Sequence, residues 1–200
     1  MQTDPEAHKR MTQRHKEGFE KKKAAAQLEK GLLIVNTGTG KGKSTAAFGL
    51  ALRMLGRGQR VGVVQFIKGA WHSAERDALA RFGDQLVWHT MGEGFTWETQ
   101  DRARDVAAAE RAWSKARELM GDPNLAMLVL DELNIALRYD YLDLDAVVTA
   151  LATRRAGLHV VVTGRNAKPE LVAAADLVTE MTLVKHHFAA GVKAQPGIEF

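Results

Sequence analysis

An α/β fold, with a mainly parallel sheet and helices on both faces, is what this sequence predicts, and three observations carry it. From Gly31 onward, six short apolar runs alternate with helix-like stretches. Most of the runs are continuous Val, Ile and Leu instead of apolar-polar alternations, the pattern of strands covered on both faces. The first run leads through a glycine-rich loop directly into a helix-like segment, and strand-helix alternation of this kind builds parallel sheets joined by right-handed crossovers.

The strands are read at GLLIVN (31–36), VGVVQF (61–66), LVWH (86–89), MLVLDE (127–132), HVVVTG (159–164) and LVTEMTLV (177–184). The intervening helices are read at 43–56, 73–82, 98–120, 143–155 and 168–175. Asp143 is placed to cap the fourth helix, and Gly56, Gly121 and Gly157 stand where helices stop. The stretch 98–120, rich in Asp, Glu, Arg and Lys, reads as a solvated charged face whose Trp113 is a core or subunit contact. The sequence has no internal repeat and no low-complexity segment.

With 200 residues, 46% hydrophobic and 26% charged, the chain fits one domain large enough to bury a substantial core. It has no cysteine. That excludes a disulfide scaffold, a thiolate zinc site, a cysteine-ligated iron-sulfur cluster and a cysteine nucleophile, and it fits a reducing compartment. No apolar run approaches the roughly 20 residues of a membrane span, and the first residues lack the apolar core of a signal peptide. The expectation is therefore a cytoplasmic protein with no membrane partner. The formal charge of +4 needs an address before it implies a partner. Residues 1–30 hold eight Lys or Arg against five acids, and residues 31–200 hold 20 against 19. The basic character belongs to an amino-terminal arm, read as a solvated helix or a segment that orders on contact, and the near-neutral body argues against nucleic acid.

The loop after the first strand reads Thr37-Gly38-Thr39-Gly40-Lys41-Gly42-Lys43-Ser44-Thr45 and runs into a helix beginning AAFGLALRM. This is a Walker A loop in its proper setting between strand and helix. Its glycines let successive N–H groups face an anion, the helix adds its positive end, and Lys43 reaches the phosphates as a point charge. Ser44 is the hydroxyl for magnesium. The general pattern has glycine where this chain has Thr37. The expected fold class is accordingly α/β, P-loop NTPase-like (RecA-like), over residues 31–200.

Met127-Leu128-Val129-Leu130-Asp131-Glu132 supplies two carboxylates at the carboxyl end of a buried strand, where ligands of parallel sheets bind. An acid here holds magnesium in P-loop enzymes, and the alternative is a pair of acids capping the next helix. HVVVTGR carries Arg165 to the same edge, as a phosphate contact or as a surface ion pair. A Walker pair says nucleotide and leaves the reaction open. Kinases, hydrolases, motors and synthetases all share it, and a RecA-like ATPase or nucleic-acid motor with Glu132 activating water and a nucleotide-dependent binding module are two of the readings to weigh.

The segments TGTGKGKSTAAFG (37–49), VGVVQFIKG (61–69), MGEGFTWETQ (91–100), VLDELNIALRYDYL (129–142) and VKHHFAAGVKAQPGIEF (184–200) resemble the ATP:corrinoid adenosyltransferases of the housekeeping, P-loop type. The likeness runs in order from about Gly31 to Phe200, and FTWETQ and GVKAQ are not general P-loop features. The family's loop also lacks the first glycine, so Thr37 departs only from the general motif. The resemblance implies a homodimeric enzyme that binds MgATP and a corrinoid, lets Co(I) attack C5′ of the ribose, and releases triphosphate.

Carried over position by position, the resemblance implies that Gly38, Thr39, Gly40, Lys41, Gly42, Lys43, Ser44 and Thr45 cradle the triphosphate. It makes Ser44 and Glu132 the Mg²⁺ ligands and Arg165 a phosphate contact, with Lys43, Glu132 and Arg165 as the catalytic set. Ser44 stands where the family usually has Thr, and either hydroxyl suits a hard cation. Phe95 and Trp97 are implied to cover the lower face of the cobalt, leaving a four-coordinate Co(II) that accepts an electron more readily from a flavoprotein or reduced flavin. Without the family, those two rings read as packing. The arm 1–30 is implied to be a lid over the corrinoid site. His186 and His187, read as strand neighbours, should point to opposite faces and not form a paired site; His72 and His89 are isolated.

Overall fold

The apolar runs form six strands in one sheet: β1 (Leu33–Thr37), β2 (Arg60–Gln65), β3 (Leu86–Thr90), β4 (Leu125–Asp131), β5 (His159–Thr163) and β6 (Leu177–Glu180). Their order is β3-β2-β4-β5-β1-β6, and every neighbouring pair is parallel. The computed structural model describes residues 5–67, 73–91 and 101–198. It divides into two units, Met1–Lys30 and Gly31–Phe200. The α/β class expected from the sequence is therefore the observed one.

Alternate residues of β1 to β5 feed two cores, one on each face of the sheet, while the edge strand β6 is exposed along its length. Ile34, Val61, Val63, Met127, Val129 and Val161 pack with Ala47, Phe48, Ala51 and Leu55 of α2 (Lys43–Leu55) and Leu79 of α3 (Ala74–Ala80). Their pleat partners Leu33, Val35, Leu128, Leu130, Val160 and Val162 face the other way. There they meet α4 (Arg102–Met120), α5 (Leu133–Arg138), α6 (Leu144–Ala152) and α7 (Pro169–Ala174). Close approach is bought on the α4 side by Ala108, Ala109, Ala112 and Ala116, while Trp113 lies half-buried against the same core. Coverage on both faces is why the strand runs are continuous and not alternating.

The first helix of the chain, α1 (Pro5–Ala25), has no buried residue, as a helix of mainly charged and polar side chains requires. Its Met11 and Phe19 are exposed.

Several boundaries differ from the sequence reading. The sixth strand ends at Glu180 instead of 184, because Met181 turns to back the glycine loop: Met181 N–H donates to the Thr37 carbonyl (2.9 Å) and Gly40 N–H to the Met181 carbonyl (2.6 Å). α6 stops at Ala152, where Thr153 Oγ1 donates to the Thr149 carbonyl (2.8 Å), so Gly157 does not close it. Gly56 and Gly121 do stand at helix ends, and Asp143 Oδ1 accepts from Ala146 N–H (2.8 Å). α4 begins at Arg102 behind an Asp101 cap, and residues 98–100 of the expected helix lie outside the described residues.

Candidate functional site

β1 ends at Thr37, and β5 alone separates β1 from the acid-bearing β4. Loop and acid therefore meet at one carboxyl edge. Thr37, at the position of the missing glycine, needs no left-handed backbone: the positive φ values fall on Gly38 (95°) and Gly42 (102°). Its hydroxyl instead accepts from Ala167 N–H (3.0 Å), tying the loop to the chain beyond β5. A Cβ on Gly38 would run into the Met181 carbonyl, and one on Gly40 would lie 2.8 Å from the Met181 and Thr182 carbonyl oxygens. The glycines here serve a close backbone approach as well as an anion nest.

Asn36 Nδ2 donates to the Lys43 carbonyl (3.2 Å) and pins the start of α2. That start carries no side-chain cap, and a helix start of this kind suits an anion. Thr39, Lys41 and Thr45 are exposed and Ser44 is half-buried. Lys43 is buried, with Nζ donating to the Gly40 carbonyl (2.5 Å). Burial holds its pKa below the ordinary 10.5; Glu132 opposes that shift, and Arg165 and Lys41 add to it. Three charged side chains, Glu132, Arg165 and Lys41, thus act on Lys43. Arg165 is exposed, one residue beyond Gly164.

The two acids differ. Asp131 is fully buried and accepts from Gln65 Nε2 (2.9 Å) and Thr163 Oγ1 (2.8 Å). Glu132 is half-buried, with a left-handed backbone (φ 63°, ψ 20°). It occupies the N-cap position of α5 but makes no side-chain cap bond, which removes the capping alternative for it. Gly164 (φ 126°) lets the following turn close on it: a Cβ there would lie 2.8 Å from Asn134 Cβ and 3.0 Å from Glu132 Oε2.

Sequence reasoning missed Gln65, Thr163 and Asn134. All three are buried: Thr163 ends an apolar run, while Gln65 and Asn134 each stand alone between apolar neighbours, and a lone polar residue in such a setting was a usable signal. Phe95 and Trp97 lie outside the described residues, as does His72. His186 and His187 depart from expectation, because the segment is not a strand: their rings stack with centroids 4.6 Å apart as the chain enters a 3₁₀ turn, His187–Ala190. Among the described residues no group of three His, Asp or Glu is placed to hold a metal, and no helix is long and apolar enough to cross a membrane.

A parallel sheet with a glycine loop, a buried lysine and an acid from the next strand but one defines a protein of the P-loop, NTPase-like class. Residues 29–200 match the family ATP:corrinoid adenosyltransferase BtuR/CobO/CobP, and the chain belongs to that family. A corrinoid adenosyltransferase of Pseudomonas aeruginosa is 55% identical over 195 residues, covering 94% of this chain and 96% of its own. One of Sinorhizobium is 56% identical over 196 residues, covering 94% and 92%. One of Salmonella typhimurium is 46% identical over 195 residues, covering 98% of each chain.

Proposed function

We propose that this chain transfers the 5′-deoxyadenosyl group of ATP to the Co(I) centre of a corrinoid, cob(I)yrinic acid a,c-diamide or cob(I)alamin, and releases triphosphate in adenosylcobalamin biosynthesis or salvage. The observation that carries it is the match to relatives named corrinoid adenosyltransferase over 94–98% of the chain. A bond forms between cobalt and C5′, and the bond from C5′ to the triphosphate oxygen breaks. The electron pair comes from Co(I), which ends as Co(III). No proton moves, so no side-chain nucleophile or base is required, in keeping with the absence of cysteine.

What remains for the protein is to position two substrates and stabilise a polyanionic leaving group. Gly38, Thr39, Gly40, Lys41, Gly42, Lys43, Ser44 and Thr45 cradle the triphosphate, with the loop on its terminal phosphate so that the ribose carbon faces the corrinoid. Lys43 exchanges the Gly40 carbonyl for phosphate oxygen, and Arg165 binds phosphate from the far side. The Ser44 hydroxyl and the Glu132 carboxylate are the hard oxygen donors that suit Mg²⁺, and Glu132 acts electrostatically on Lys43. Bound there, Mg²⁺ neutralises phosphate charge. Phe95 and Trp97 exclude a lower ligand from cobalt. A flavoprotein or reduced flavin supplies the electron, and the enzyme works as a cytoplasmic homodimer.

The test is a product assay with MgATP, a corrinoid and a chemical reductant. Equal amounts of adenosylated corrinoid and inorganic triphosphate are expected; ADP and phosphate would overturn the reading. In the same assay Lys43→Ala should cost roughly 10²–10³ in rate whichever cobalt state is offered. Phe95→Ala and Trp97→Ala should slow the reaction of Co(II) corrinoid far more than that of pre-reduced Co(I), and equal losses would make these rings structural.

A further inference from the structure

The buried acid beside Glu132 sits in a chain of hydrogen bonds whose direction can be worked out atom by atom. Trp88 Nε1–H is a donor only, and it donates to Gln65 Oε1 (3.1 Å). Thr90 Oγ1 donates to the same oxygen (3.0 Å). The Gln65 amide must then present its Nε2–H to Asp131 Oδ2, at 2.9 Å. On the other side, Thr163 has a single hydroxyl proton, which goes to Asp131 Oδ1 (2.8 Å). Its lone pair accepts the Glu132 backbone N–H (3.0 Å). The chain crosses β3, β2, β4 and β5 and returns to the residue that follows Asp131. Both arms donate into Asp131, Gln65 from one side and Thr163 from the other, and the Thr163 hydroxyl, by donating to a carboxylate, becomes a stronger acceptor than an isolated one.

Glu132 needs such a partner. Its φ of 63° is a conformation that a residue with a side chain keeps only where its surroundings impose it. The neighbouring turn is held as well, by Asn134 Nδ2 donating to the Gly164 carbonyl (2.9 Å).

We propose that Asp131 is a positioning residue and not a metal ligand: through the Thr163 hydroxyl it locks the Glu132 backbone in the left-handed conformation that turns the Glu132 carboxylate toward the phosphate loop. The proposal rests on the reading of Glu132 as the carboxylate that holds Mg²⁺. Without the Thr163 hydroxyl, the backbone of Glu132 relaxes toward an ordinary conformation and its carboxylate leaves the edge, while the glycine loop and Lys43 stay as they are.

Calorimetry of ATP binding to the full chain, once with Mg²⁺ and once with EDTA, tests this. The ratio of the two affinities is the contribution of the metal, which a general loss of structure would not single out. Glu132→Gln should lower that ratio. Thr163→Val, which keeps the shape and deletes the hydroxyl, should lower it about tenfold while leaving affinity in EDTA within about twofold, and Thr163→Ser should restore it. In the Glu132→Gln background, Thr163→Val should cause no further loss. Parallel losses with and without Mg²⁺, or full additivity in the double variant, would overturn the proposal. An unchanged ratio in Glu132→Gln would overturn the reading of Glu132 and the proposal with it; a lowered ratio there with none in Thr163→Val would overturn the proposal alone. Should Thr163→Val not fold, Asp131→Asn weakens the acceptor of the Thr163 hydroxyl and should lower the same ratio about threefold with no further loss in the Glu132→Gln background; an unchanged ratio, or an additive loss, would overturn the proposal.

Discussion

His89 shows how a residue set aside in the sequence acquires a measurable role from its surroundings. It lies half-buried on β3, and burial holds its pKa below the ordinary 6.5, with Lys115 of α4 adding to the shift and Glu118 opposing it. Below 6.5 the unfolded chain takes up a proton that the folded chain refuses. Stability from this residue is therefore complete above 6.5 and is lost as pH falls through the depressed value. Urea midpoints measured across that window should fall with pH in the native chain and fall less in His89→Gln; identical slopes would remove His89 from the account. Residue by residue, the site was partly legible. The glycines, Lys43 and the Asp131-Glu132 pair follow from spacing, whereas the division of labour between the two acids does not, because it depends on partners from β2 and β5 that are far away in the chain.

Among the elements, the amino ends of the strands are held as firmly as the carboxyl ends are chemically equipped. Arg154, whose side chain is 8% exposed, follows α6 and donates to the carbonyls of Leu151 (2.6 Å), Leu158 (3.1 Å) and Gly31 (2.6 Å). It also lies 3.6 Å from Asp176, which accepts from Leu33 N–H (2.9 Å). One guanidinium thus ties the end of a helix to the starts of β1, β5 and β6. Arg154→Ala removes the donor to three carbonyls and the cation beside Asp176, and should cost about 3 kcal/mol, read as a lower denaturant midpoint at unchanged slope. Turnover per folded molecule should be unchanged, since this staple is at the opposite end of the strands from the loop. The strand runs and most helices were legible because burial on two faces writes itself into composition. α5 was not, since six residues are too few for a 3.6-residue pattern to show. The early end of β6 was hidden too: apolar residues continue past Glu180, but the backbone of Met181 is recruited by the loop.

For the molecule as a whole, the charge divides between the two units. The body is nearly neutral, and the excess sits on a wholly exposed helix, Pro5–Ala25 with the residues up to Lys30. A corrinoid carrying phosphate or carboxylate groups is a suitable ligand for such an arm. Deleting residues 1–30 should weaken corrinoid affinity more than ATP affinity, measured by titration of each ligand, and unchanged corrinoid affinity would refute the role that the family resemblance implies for the arm.

The backing of the glycine loop by Met181 bears on synthesis as well as on binding. β1 is made early, yet its neighbours in the sheet are β5 and β6, and the carbonyl that supports Gly40 belongs to a residue some 140 positions later. On the ribosome the loop must wait, unsupported, until nearly the entire chain has emerged. Contacts of such long range make folding slow and late. A chain cut short before Met181 would carry every residue of the phosphate loop and still lack the wall against which that loop is built.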